Sequence, residues 1–154
     1  MAEDYIREFV EKQKQKMERE MLYKEQALQA AKTVLQEKVQ VENQSPLVWE
    51  QLLAHIRQRA GEINTANGSD VLTLQSPGMD EMIVRCGAKF LILLYSREKH
   101  LINIEGSFAI PRKWRILQAV PDGERVSFAE QNTRDFTPLS FDDIMKGLLS
   151  SFEA

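Results

Sequence analysis

The chain has 154 residues, 43% of them hydrophobic and 28% charged, with a net charge of −3 and a pI near 5.5. That length carries one domain with a proper core plus an appendage, and the composition excludes a wholly disordered or collagen-like chain. The mild acidity gives no overall field for nucleic acid or an anionic membrane, and the single cysteine, Cys86, excludes an internal disulfide and a cysteine-only zinc site.

The N-terminus reads Met1-Ala2-Glu3-Asp4-Tyr5, acidic where a secretory or transit peptide is basic, and no stretch approaches the roughly 18 apolar residues of a membrane-spanning helix. A soluble cytoplasmic protein is the expectation. From Glu3 to about Asn43 there is neither Gly nor Pro, and Glu, Lys, Gln, Ala, Leu and Met dominate, which predicts one long helix or two abutting ones. Tyr5, Ile6, Phe9 and Val10 form an apolar patch at helical spacing. Met21, Leu28 and Leu35 then recur every seven residues, with Val10, Met17 and Ala31 on the adjoining seam. Lys14, Lys24 and Lys38 fall on the same seams, which argues against a self-standing coiled coil and for a helix lying by a narrow stripe on its own domain or a twin's. The charge run Glu11 to Glu20 reads as a solvated face held by alternating signs. The expected division is a helical arm, 1–44, and an α+β domain, 45–154.

Ser45-Pro46 has the residues of an N-cap and a first helical position, so a second helix is expected to start there. Trp49, Leu52, Leu53, Ile56, Ala60 and Ile63 make its apolar face, and Asn67-Gly68 ends it. His55 lies toward the polar side with no metal-ligand partner at helical spacing and reads as a solvated histidine.

After Gly68 short apolar runs alternate with turn residues, the pattern of an antiparallel meander. The candidate strands are Val71 to Gln75, Glu81 to Cys86, Lys89 to Ser96, His100 to Glu105, Trp114 to Val120 and Arg125 to Glu130. Cys86-Gly87 and Pro121-Asp122-Gly123 carry the chemistry of tight reversals. Phe90 to Tyr95 is apolar at every position, so both faces of this central strand need cover. Two local helices cover one face, leaving Leu91, Leu93, Tyr95 and Leu101 to be shielded by the arm or by a second subunit. Gln131 to Pro138 reads as an extended polar connection. Ser140 caps a last helix with Asp143 in the capping-box position, and Ile144, Met145, Leu148, Leu149 and Phe152 form its apolar side.

No phosphate-cradling loop, nucleophile elbow, metal-binding helix or paired-cysteine motif is present, and no catalytic residue, metal ligand or cofactor is assigned. His100 sits in a charged turn and reads as solvated; Cys86 shares its strand face with Met82 and Val84 and reads as a core thiol. Asp142 and Asp143 are explained by the first turn of their helix. The first functional expectation is therefore a non-enzymatic protein-interaction module, adaptor or chaperone-like, forming a homodimer and binding a protein partner. Its contact residues are Tyr5, Ile6, Phe9, Val10, Met17, Met21, Leu28 and Leu35 on the arm and Leu91, Leu93 and Tyr95 on the sheet. The alternative is a small-ligand domain with Arg85, Trp114 and Arg115 lining a pocket between sheet and helices. Nucleic-acid binding through Arg112-Lys113-Trp114-Arg115 is a third and weaker reading.

Overall fold

The computed structural model describes residues 2–132 and 135–153. The chain is α+β. Helix α1 (Ala2–Asn67) is followed by strands β1 (Leu72–Gln75), β2 (Glu81–Cys86), β3 (Lys89–Ser96), β4 (Leu101–Gly106), β5 (Ile116–Asp122), β6 (Arg125–Asn132) and β7 (Asp135–Pro138), and then by helix α2 (Phe141–Glu153). A single 3-10 turn, Arg112–Trp114, lies between β4 and β5. The chain divides into two units, Met1–Val39, whose described residues are all in α1, and Gln40–Ala154, which holds the rest of α1, the sheet and α2.

Every strand pairs antiparallel with the next in sequence, giving one seven-stranded meander. The tightest reversals use two-residue loops: Cys86 pairs with Lys89 across Gly87-Ala88, and Asp122 with Arg125 across Gly123-Glu124. Gly87 and Gly123 have φ of +63° and +64°. A glycine at the first loop position with positive φ gives the turn whose twist matches the flanking strands.

One face of the sheet is dry. Met82, Val84, Leu91, Leu93, Tyr95, Ile102, Ile104, Leu117 and Phe128 are buried there against Trp49, Leu52, Leu53, Ile56 and Ala60 of α1 and Ile144, Met145 and Leu148 of α2. Burying each large apolar side chain stabilises the fold by about 1.5–3 kcal/mol, so this layer is the main source of stability. Trp49 stacks on Tyr95 at 5.4 Å between centroids and donates its indole N–H to the Met79 carbonyl at 3.0 Å. At the end of α1, Asn64 Oδ1 accepts from the amides of Val71 and Leu72, docking the start of β1 onto the helix. The expected cap of α2 is present: Asp143 N–H donates to Ser140 Oγ at 3.0 Å and Ser140 N–H to Asp143 Oδ2 at 3.2 Å.

Four expectations are corrected. Ser45-Pro46 does not start a helix, because α1 runs through Pro46 without a break. A proline inside a helix removes one backbone hydrogen bond and crowds the preceding turn, at a cost of about 3 kcal/mol. Contacts around that turn offset the loss: Gln40 Nε2 donates to the carbonyls of Gly123 and Arg125, Gln44 Nε2 to that of Glu124, and the Ser45 hydroxyl is fully buried against Tyr95 and His100.

The connection expected over 131–138 is instead a hairpin, with Gln131 opposite Phe136 and Asn132 opposite Asp135; positions 133 and 134 lie outside the described residues. β7 is exposed throughout and ends on Pro138, as suits an edge strand that must not recruit another, so its polar sequence carried no strand signal.

The faces of β3 are reversed. Leu91, Leu93 and Tyr95 are the covered set, and Phe90, Ile92 and Leu94 are partly exposed on the other side with Leu101. Register decides this: Leu93 lies between Met82 and Ile104, and Tyr95 beside Ile102, all on the dry face. Six consecutive apolar residues contain no polar one to mark the phase.

Finally, neither histidine is merely solvated. His55 Nε2 lies 2.9 Å from Asp142 Oδ1, and His100 Nδ1 lies 3.1 Å from Ser45 Oγ.

Candidate interaction surface

Residues 3–39 of α1 are exposed throughout. Most of them are charged or polar, yet Ile6, Val10, Met17, Met21, Leu28, Leu35 and Val39 present side chains that are 44–62% exposed. At about 100° per residue these seven fall within a sector of about 60° on the helix surface. Between Ile6 and Val39 the only polar residue in that sector is Lys24. Lys14 and Lys38, which interrupt a seven-residue reading, fall outside it.

The underlying period is eleven residues: Ile6, Met17, Leu28 and Val39 are evenly spaced, with Val10 and Met21 four residues after the first two. Eleven residues make three turns at about 3.67 per turn, so on a straight helix the stripe drifts by about 20° per eleven residues, more slowly than the roughly 20° per seven of a heptad repeat and in the opposite sense. Of the arm residues expected to meet a partner, six lie on the stripe, while Tyr5 and Phe9, 65% and 62% exposed, lie about 130° and 90° round the helix from its centre. Val39 was missed because its spacing from Leu35 is four, not seven.

The sheet residues expected beside them are elsewhere. Leu91, Leu93 and Tyr95 belong to the core of the chain and present no surface to a partner. Arg85, Trp114 and Arg115 do not converge on one pocket. The Arg85 guanidinium lies over the Phe90 ring, 5.5 Å from its centroid, on the partly exposed sheet face. Trp114 packs its ring against Gly147 of α2, and Arg115 Nε donates to the Ile110 carbonyl at 3.1 Å. Trp114 lines an open cavity of about 510 Å³ with Lys113, Glu130 and Lys146, while neither Arg85 nor Arg115 reaches it. A second cavity, of about 590 Å³, lies between Leu47, Val48, Arg125, Leu139 and Phe141.

Two polar clusters hold the helices in place. Ser45 Oγ shares hydrogen bonds with Tyr95 Oη at 2.5 Å and His100 Nδ1 at 3.1 Å, and burial pushes the Tyr95 phenol above its ordinary pKa, so it stays a neutral hydroxyl. A serine beside a histidine is the start of a nucleophile pair, but this hydroxyl has no exposure to a substrate. On the other side, Asp142 Oδ1 accepts from His55 Nε2 and from Arg59 Nε at 3.2 Å, and Arg59 also pairs with Glu62 at 2.8 Å. The His55 hydrogen bond, with Arg59 adding to it, holds the Asp142 carboxyl below the usual carboxylate range. Sequence gives no sign of either cluster, since Ser45 stands 50 and 55 residues from its partners and Asp142 stands 87 and 83 residues from His55 and Arg59.

Among the described residues no group of three or more His, Cys, Asp or Glu is placed to hold a metal ion, and no helix is long and apolar enough to cross a membrane. Comparison with family models, with curated proteins and with solved structures finds no match for this chain.

Proposed function

We propose that this chain is a non-enzymatic protein-interaction module that self-associates through residues 6–39 of α1. The observation that carries the reading is the line of seven exposed apolar side chains along one side of a helix whose other residues are mostly charged or polar, with Tyr5, Phe9, Leu22, Tyr23 and Val34 exposed elsewhere on it. A helix surrounded by water gains nothing from such a line, whereas burying it against another protein surface removes apolar area from solvent along about 50 Å.

The test is the mass of the particle in solution. Sedimentation velocity of the wild-type chain at micromolar concentration should give a dimer. The double variant Met17→Glu/Leu28→Glu, which places charges in the stripe, should weaken association more than a hundredfold. A wild-type chain that sediments as a monomer at every concentration up to the millimolar range overturns the proposal.

A further inference from the structure

Resting on that reading, we infer that the occupant of the stripe is the same segment of a second copy, running antiparallel, with the twofold axis between Leu22 and Tyr23. The pattern of apolar side chains is nearly palindromic about that point. Ile6 mirrors Val39, Val10 mirrors Leu35, Met17 mirrors Leu28, and Met21 mirrors Lys24. An antiparallel pair with this axis therefore sets apolar against apolar at every level but the central one. A twofold interface must be self-complementary in this way, each residue meeting the mirror position of the other copy.

Lys24 discriminates between the two directions. In a parallel pair in register it would face its own copy inside the apolar seam, two like charges in contact with little water. In the antiparallel pair it faces Met21 of the second copy, and Glu20 of that copy stands one residue from its level, so the ammonium reaches a carboxylate at the seam edge. Along one flank Lys32 lies level with Gln13 of the second copy and one residue from Lys14, a like-charge approach at the water-exposed rim, where such pairs count for little. The stripe suits this arrangement because two helices with an eleven-residue period pack with little or slightly right-handed supercoiling.

Distances between spin labels in the full chain decide the direction. With Cys86→Ser as background, single labels at Glu8→Cys and Gln26→Cys both sit on the helix face opposite the stripe, so neither disturbs the seam. In the antiparallel pair Glu8 of one copy lies level with position 37 of the other, about 29 residues from its own counterpart, and Gln26 only about 7 residues from its own. With a rise of 1.5 Å per residue and the two outer helix faces about 25 Å apart, pulsed electron double resonance should then give about 50 Å between labels at position 8 and about 30 Å or less at position 26. Short distances at both positions mean a parallel pair and overturn the inference while leaving self-association standing. Absence of any dipolar coupling at either position, together with a monomeric mass, overturns both.

Discussion

Ser45 sits where a proline-containing turn of α1 meets the β3–β4 hairpin, and its hydroxyl serves two partners at once. His100, one of those partners, has a φ of +54°, a left-handed conformation that costs a residue with a side chain about 1–2 kcal/mol. The strain persists because the ring reaches Ser45 from that backbone setting. Replacing Ser45 by Ala leaves the Tyr95 hydroxyl, in a side chain 5% exposed, without its partner. We expect Ser45→Ala to lower the unfolding free energy by about 1–3 kcal/mol, and more than Tyr95→Phe, which leaves Ser45 its bond to His100. Urea unfolding measures both, and a neutral Ser45→Ala would mean that the cluster does not hold the turn. Local sequence rules point the other way at this residue. Ser-Pro is a strong helix-start signal, and it misleads because contacts far along the chain outweigh the local preference.

At the scale of elements, helices α1 and α2 are joined by Asp142. Its carboxyl is held below the usual range by His55 and Arg59, so the folded state binds that proton less readily than the unfolded chain. The stabilising effect is therefore present above the ordinary carboxylate pKa and is lost as pH falls through the lowered folded value. The difference in melting temperature between wild type and Asp142→Asn should be largest near about pH 6 and shrink toward about pH 3. A difference independent of pH would remove the ion pair from the account.

The packing of α2 makes a second demand. A methyl group on Gly147 would overlap the Trp114 ring. Alanine favours a helix over glycine by about 1 kcal/mol, but displacing a packed indole costs about 1–3 kcal/mol, so Gly147→Ala should destabilise on balance. An increase in the urea midpoint would show that the ring moves freely. The elements themselves were legible: the apolar face of α1 from Trp49 onward, the Ser140 cap, six strands and the glycine turns all follow from period and turn chemistry. β7 was not, because an exposed edge strand has no apolar alternation to betray it. The tilt of Trp114 toward a glycine was not either, because nothing in a one-dimensional pattern says which ring a missing side chain makes room for.

For the whole molecule, architecture was easier to read than orientation. Short connections between strands force an antiparallel meander, yet sequence does not say which face of the sheet the helices cover, because Phe90 to Tyr95 is equally apolar on both sides. The same ambiguity misplaced Leu91, Leu93 and Tyr95 as contact residues. The stripe on α1 is partly visible in sequence as a flawed seven-residue repeat; a helix unbroken over residues 6–39 makes the eleven-residue line physical.

The meander has a consequence for how the chain reaches this state. Every ladder joins strands that are adjacent in sequence, so each step of sheet growth closes one short loop at small entropic expense, and zipping can spread from any hairpin to its neighbours. The Trp49 to Ile56 face of α1 leaves a ribosome before the sheet does and finds no sheet to rest on until the middle strands have been made. The slowest rendezvous is therefore between that helix and the sheet that follows it.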